Sequence, residues 1–112
     1  MPRDDQRPIR AETATPEGVR VVLFEDTWEE HILEPGDGHD ELAAHLDAVL
    51  AAISAPDLRE PDPRPHREQF HRQDTGPSKW LFVVVDFADD PARIVTAYGR
   101  GHGKPPTGWT PP

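Results

Sequence analysis

The chain has 112 residues, 35% of them apolar, with 14 prolines, no cysteine and a net charge of −9. That length bounds it to one domain with one modest core, and the lack of cysteine excludes a disulfide frame, a thiolate metal site and a cysteine nucleophile. The charge is uneven: residues 1–62 carry 5 Lys+Arg against 16 Asp+Glu, and residues 63–112 carry 7 against 5, so phosphate is repelled at long range and a nucleic-acid site must be a local patch in the C-terminal half. No apolar run reaches the ~18 residues of a membrane span, and the opening MPRDDQRPIR lacks an apolar signal core. The expectation is a soluble, cytoplasmic protein with no membrane partner.

Residues 1–17 mix charge, Thr and Pro without periodicity and read as a flexible tail. Val19 to Phe24 is β-branched and apolar, which predicts a strand. Thr27 with Glu30 three residues later forms a capping-box pattern, so a short helix is expected there, closed by Pro35-Gly36. A second, longer helix is predicted from about His39 or Asp40 to Ser54. Leu42, Leu46, Val49, Leu50 and Ile53 form its apolar stripe. The segment REPDPRP, residues 59–65, is too rich in proline for anything but loop or an edge segment.

His66 to Gln73 alternates as a comparatively exposed strand with Phe70 as its apolar anchor. The stretch Lys79–Arg100 organises the rest. Trp80 to Phe87 is almost continuously apolar and reads as an interior strand, Ala88-Asp89-Asp90-Pro91 as a turn, and Arg93 to Tyr98 as a returning strand. On strict alternation Ile94, Thr96 and Tyr98 share one face of it. Residues 101–112 read as a Gly/Pro-rich tail. The fold class expected is α+β: one short and one long helix on a mostly antiparallel sheet of three or four strands, ordered β-α-α-β-β-β, in a single domain over residues 18–100.

Several side chains are candidates for chemistry. His31 has the residue type of a general acid or base, or is a structural histidine beside Trp28. Arg67, Gln69 and His71 on one face of a strand, or Glu68 and Arg72 on the other, suit an oxyanion, or keep an edge strand soluble. Thr96 and Tyr98 could donate to a phosphate or be favoured strand residues, and Lys79 is a point charge at a strand start. The histidines and acidic residues show no metal-ligand spacing, so neither metal nor cofactor is expected.

The order of His31-Ile32, Phe70-His71-Arg72, Lys79 with Leu81–Val85, and Ile94-Val95-Thr96-Ala97-Tyr98 resembles small ribonuclease-like domains of the barnase–EndoU–colicin–RelE (BECR) superfamily, especially its phage- and mobile-element-associated branch. The resemblance spans about residues 19–99. It implies a toxin-type hydrolase that cleaves RNA without metal and leaves a 2′,3′-cyclic phosphate. By analogy His31, Arg72, Thr96 and Tyr98 would be catalytic, and Arg67 and Lys79 would bind substrate. The chain departs from the family pattern after His31-Ile32, where an acidic Leu33-Glu34-Pro35-Gly36-Asp37 replaces a basic segment. The rival expectation is a non-enzymatic antitoxin, immunity or adaptor module. It would offer Glu29, Glu30, Asp40, Glu41 and Asp47 to a basic or cognate protein partner.

Overall fold

The computed structural model describes residues 8–32, 45–73 and 80–100. The stretch read as a tail supplies the first strand, β1 (Ile9–Ala14). A tight turn, Thr15-Pro16-Glu17-Gly18, reverses the chain. Pro16 sits where its fixed φ suits the turn, Gly18 takes the left-handed φ of 89°, and the Gly18 N–H donates to the Thr15 carbonyl at 2.8 Å. The Thr15 hydroxyl accepts from the Val19 N–H at 3.1 Å. β2 (Arg20–Phe24) then runs antiparallel to β1, with Thr13 opposite Val21 and Glu12 opposite Val22.

The helical segment starts earlier than the capping pattern indicates. α1 (Glu25–Thr27) follows directly on β2, with Phe24 at its N-cap and no side chain capping it, and continues as a π-helical turn over Trp28–Ile32. Thr27 is therefore inside the helix rather than its cap. Pro35-Gly36 lies outside the described residues. α2 spans Leu46–Ser54, and His45 before it is non-helical at φ −125°, ψ 28°. The helix is thus shorter than the stripe from Leu42 implied, and the expected start at His39 or Asp40 falls outside the described residues.

Four strands complete the sheet: β3 (Leu58–Pro61), β4 (Arg67–Gln73), β5 (Trp80–Asp86) and β6 (Ala92–Arg100). The order across the sheet is β1-β2-β6-β5-β4-β3. All neighbours are antiparallel except β2 and β6, which run parallel with Val21 beside Ala92 and Val22 beside Arg93. The α+β reading therefore needs correction in its architecture. Among the described residues, one six-stranded mixed sheet replaces the three- or four-stranded one, and a nine-residue helix with one short helical segment replaces the short-plus-long helix pair. β3 lies at the sheet edge, the place where proline is tolerated, because an edge position leaves one backbone side unpaired.

One face of the sheet packs on the helices. Val49, Ala52 and Ile53 of α2, with Trp28 and Ile32, meet Val21, Leu23, Phe70, Leu81, Val83, Ile94 and Ala97 in a single buried core. Burial of each large side chain contributes about 1.5–3 kcal/mol. Arg59 of β3 ties the rim of this layer. It bonds Glu68 at 2.6 and 2.9 Å, bonds Glu17 of the β1–β2 turn at 2.6 and 2.7 Å, and lies 4.7 Å over the Phe70 ring. The bond to Glu68 pushes the Arg59 pKa up against the opposing effect of burial, and Glu17 adds to the rise.

Candidate functional site

The site follows from the pleat. In β5 the residues Leu81, Val83 and Val85 enter the core, so Trp80, Phe82, Val84 and Asp86 face the other side of the sheet. Every residue of this interior strand is buried. Register then assigns the neighbours of that second face. Phe82 stands between His71 of β4 and Tyr98 of β6, and Val84 between Gln69 and Thr96. A bulge in β6 makes this possible. Val84 pairs with Thr96 but Val85 with Ile94, so Val95 is an extra residue. Ile94 consequently faces the core at 1% exposure, and does not share a face with Thr96 and Tyr98 as strict alternation would have it.

An open cleft of about 460 Å³ lies on this second face, lined by Asp62, Pro63, Arg64, Gln69, Phe82, Val84, Thr96 and Tyr98. Its floor is aromatic: the Phe82 and Tyr98 rings are 4.6 Å apart between centroids and tilted by 33°. His71 meets the far edge of Phe82 at 4.9 Å and 72°. Its wall is the β3–β4 hairpin turn. Asp62 holds that turn in place, accepting from the Gln69 side-chain amide and from the Arg64 backbone N–H, each at 2.9 Å. The Gln69 bond, and then the Arg64 one, keep the Asp62 carboxyl below its ordinary range. The wall therefore presents a fixed carboxylate and, at Arg64, an exposed cation above a flat apolar floor.

The residues expected at a site divide between the layers. Thr96 and Tyr98 share the cleft. Arg67 is on the same face, one pleat away, with its Nε 3.4 Å from Asp86 Oδ2. Arg72 is on the opposite face, opposite Leu81, where its guanidinium donates to the Ala55 carbonyl at the end of α2. It braces the helix and does not meet Tyr98. His31 belongs to the helical turn whose Trp28 and Ile32 are core residues, in the layer across the sheet. Lys79 lies outside the described residues.

Alternation in His66–Gln73 marks Gln69 as a partner of the cleft, but Asp62 and Arg64 carried no sequence signal beyond a proline-rich loop. His71, read as part of a comparatively exposed strand, is fully buried, with Nε2 3.0 Å from Glu60 Oε1. Among the described residues no group of three or more His, Asp or Glu side chains is placed to hold a metal ion. No helix among them is long and apolar enough to cross a membrane.

Comparison with protein-family models, curated proteins and solved structures finds no match to this chain. The resemblance to BECR ribonucleases therefore rests on the short motifs alone.

Proposed function

We propose that the chain is a small nuclease-like domain that binds single-stranded RNA on the sheet face that none of the described helices covers and cleaves it without metal, leaving a 2′,3′-cyclic phosphate. The observation that carries this reading is the convergence of Thr96 and Tyr98 with Arg64 and Gln69 over a Phe82–Tyr98 floor in one cleft. Phe82 is itself buried, so the half-buried Tyr98 ring packed on it is the surface that suits the π-face of an unpaired base, and stacking of this kind contributes about 1–3 kcal/mol per base. Arg64 supplies a guanidinium for the phosphate, and the Thr96 and Tyr98 hydroxyls supply neutral donors to its oxygens. Asp62 is a poor general base, since its pKa is drawn away from neutrality. Proton transfer falls instead to His66, exposed at the β4 end of the same hairpin turn and beside, not in, the lining of the cleft. His31 has no part in it, because its turn lies in the helix layer.

The test is cleavage of single-stranded RNA by the purified chain in EDTA, with end-group analysis of the products. Wild type should yield cyclic-phosphate ends, and folded His66→Ala should lose about 10²–10⁴-fold in rate, while His31→Ala keeps it. Failure of folded wild type to cut any RNA in a diverse pool would overturn the catalytic part. A protein-binding module is the other reading, and one observation favours it: Glu29, Glu30 and Asp47 are all exposed in the helix layer, where a basic partner could reach them.

A further inference from the structure

Next to the cleft lies a row of charge that the reading above does not use. Arg67 of β4 stands opposite Asp86 of β5, and Asp86 opposite Arg93 of β6. The row is on the face of Gln69, Val84 and Thr96, one pleat further along the strands. Arg67 Nε is 3.4 Å and Arg93 Nη2 3.5 Å from the same oxygen, Asp86 Oδ2. The other oxygen accepts from the Ala88 N–H at 2.8 Å. That bond, with smaller help from Arg67 and Arg93, keeps the Asp86 carboxyl below its ordinary range against the opposing effect of burial.

Two guanidiniums thus share one carboxylate, so these three side chains by themselves sum to one positive charge, with the Asp62 carboxylate of the cleft wall near enough to feel Arg67. A strand-end ion pair needs one arginine; the second on the same oxygen is surplus to it. Each arginine touches Asp86 through a single nitrogen at a long distance, although a guanidinium has five N–H donors in a fork that fits a phosphate. The carboxylate is sunk in the sheet, whereas the two arginine side chains keep 22% and 38% of their surface in solvent. The arrangement is a pair of cations pinned in place from beneath and accessible from above.

We propose that Arg67 and Arg93, anchored on Asp86, form a clamp for a phosphodiester of single-stranded RNA whose adjoining base lies over Tyr98. The proposal rests on reading this face as an RNA site, and it adds the backbone contact that a single cleft cation does not supply. Loss of either arginine would leave the row neutral. Loss of the carboxylate would leave it with two positive charges.

Binding separates from cleavage if the probe is a short, mixed-sequence RNA with 2′-O-methyl riboses, fluorescein-labelled and titrated over a range of salt. Arg67→Gln and Arg93→Gln should each weaken binding and reduce the slope of log affinity against log salt by about 0.7, the loss of one phosphate contact to a single strand. Asp86→Asn removes the charge but keeps an amide oxygen beneath the two guanidiniums to hold them, and should bind about fivefold more tightly, as one unmatched charge near a surface phosphate would give. A purely structural triad predicts the reverse, with Asp86→Asn weaker or unchanged. Arg93→Lys keeps the charge and should keep the wild-type slope, which controls for misfolding of the glutamine variants.

Wild-type salt slopes in folded Arg67→Gln and Arg93→Gln would overturn the clamp, as would failure of wild type to bind the probe. Binding of the probe with no cleavage of unmodified RNA would overturn the catalytic reading and support the clamp. Cleavage with unchanged slopes would do the opposite.

Discussion

At the scale of single residues, the pleat decides role more than residue type does. Arg67 and Arg72 are both arginines of β4, yet odd and even positions send them to opposite layers. Arg72→Ala should therefore lower stability by about 1 kcal/mol through the lost bond to Ala55, with RNA cleavage unchanged in a rate assay; a loss of rate in a folded variant would return Arg72 to the site. Tyr98→Phe keeps the ring over Phe82 but removes the hydroxyl. Its expected effect is a fall of about tenfold or more in cleavage rate with RNA affinity retained, because the stacking surface survives while a donor to developing charge is lost. At Gly18 the backbone conformation decides instead. Gly18→Ala meets no steric clash, but it forces a side chain into φ 89°, and should cost about 1 kcal/mol in denaturant unfolding.

Among the elements, β1 is the one lost in the linear chain, whereas β3 is half-anticipated, since residues 59–65 read as loop or an edge segment. Both are short and polar, and neither reads as a strand from composition. β1 is recoverable from Thr15-Pro16-Glu17-Gly18, a turn signal placed before a clear strand; in the structure Ala11 and Thr13 take its half-buried side and Arg10 and Glu12 its exposed one. β3 holds its place through Arg59, which joins the β1–β2 turn to β4 by way of Glu17 and Glu68. Arg59→Met would leave the half-buried Glu68 without its cation. Loss of about 1–3 kcal/mol is expected from thermal or denaturant unfolding, and a change near zero would show that β3 is held by its backbone ladder alone. Phe70→Ala, beneath Arg59 and in the centre of the core, should cost about 3–5 kcal/mol.

For the whole molecule, charge sets the response to acid. Asp62 and Asp86 titrate below their ordinary value of 3.8 in the folded chain, the first chiefly through Gln69 and the second chiefly through the Ala88 N–H. Glu12 and Glu17 are likewise drawn below 4.5, by Arg20 and Arg59 respectively. Each is more acidic folded than unfolded, so the unfolded chain binds more protons as pH falls. Their stabilisation is complete above these ordinary values and is lost as pH drops through the folded ones. Thermal unfolding should accordingly show a nearly flat midpoint from neutrality down to about pH 5 and a decline below about pH 4. Asp86→Asn should make that decline shallower.

Much of the local grammar was legible in the linear chain: the interior character of Trp80–Asp86, the hairpin that follows it, the alternation of Arg67–Gln73, and the position of Thr96 and Tyr98 on one strand face. These depend on neighbours in sequence, where periods of two and the chemistry of turns act directly. The cleft was not legible, since its wall comes from a proline-rich loop whose Asp62 has meaning only beside Gln69. The bulge at Val95, which turns Ile94 inward and leaves Thr96 and Tyr98 outward, was equally hidden. By itself, then, the sequence determined where most of the strands and turns could form and, wherever no bulge intervenes, which side chains share a face. Only the tertiary structure decided which face is covered by helix, which strands meet, and so which polar groups converge. Alternation defines two faces without saying which is buried, and that choice is made by packing between segments far apart in the chain.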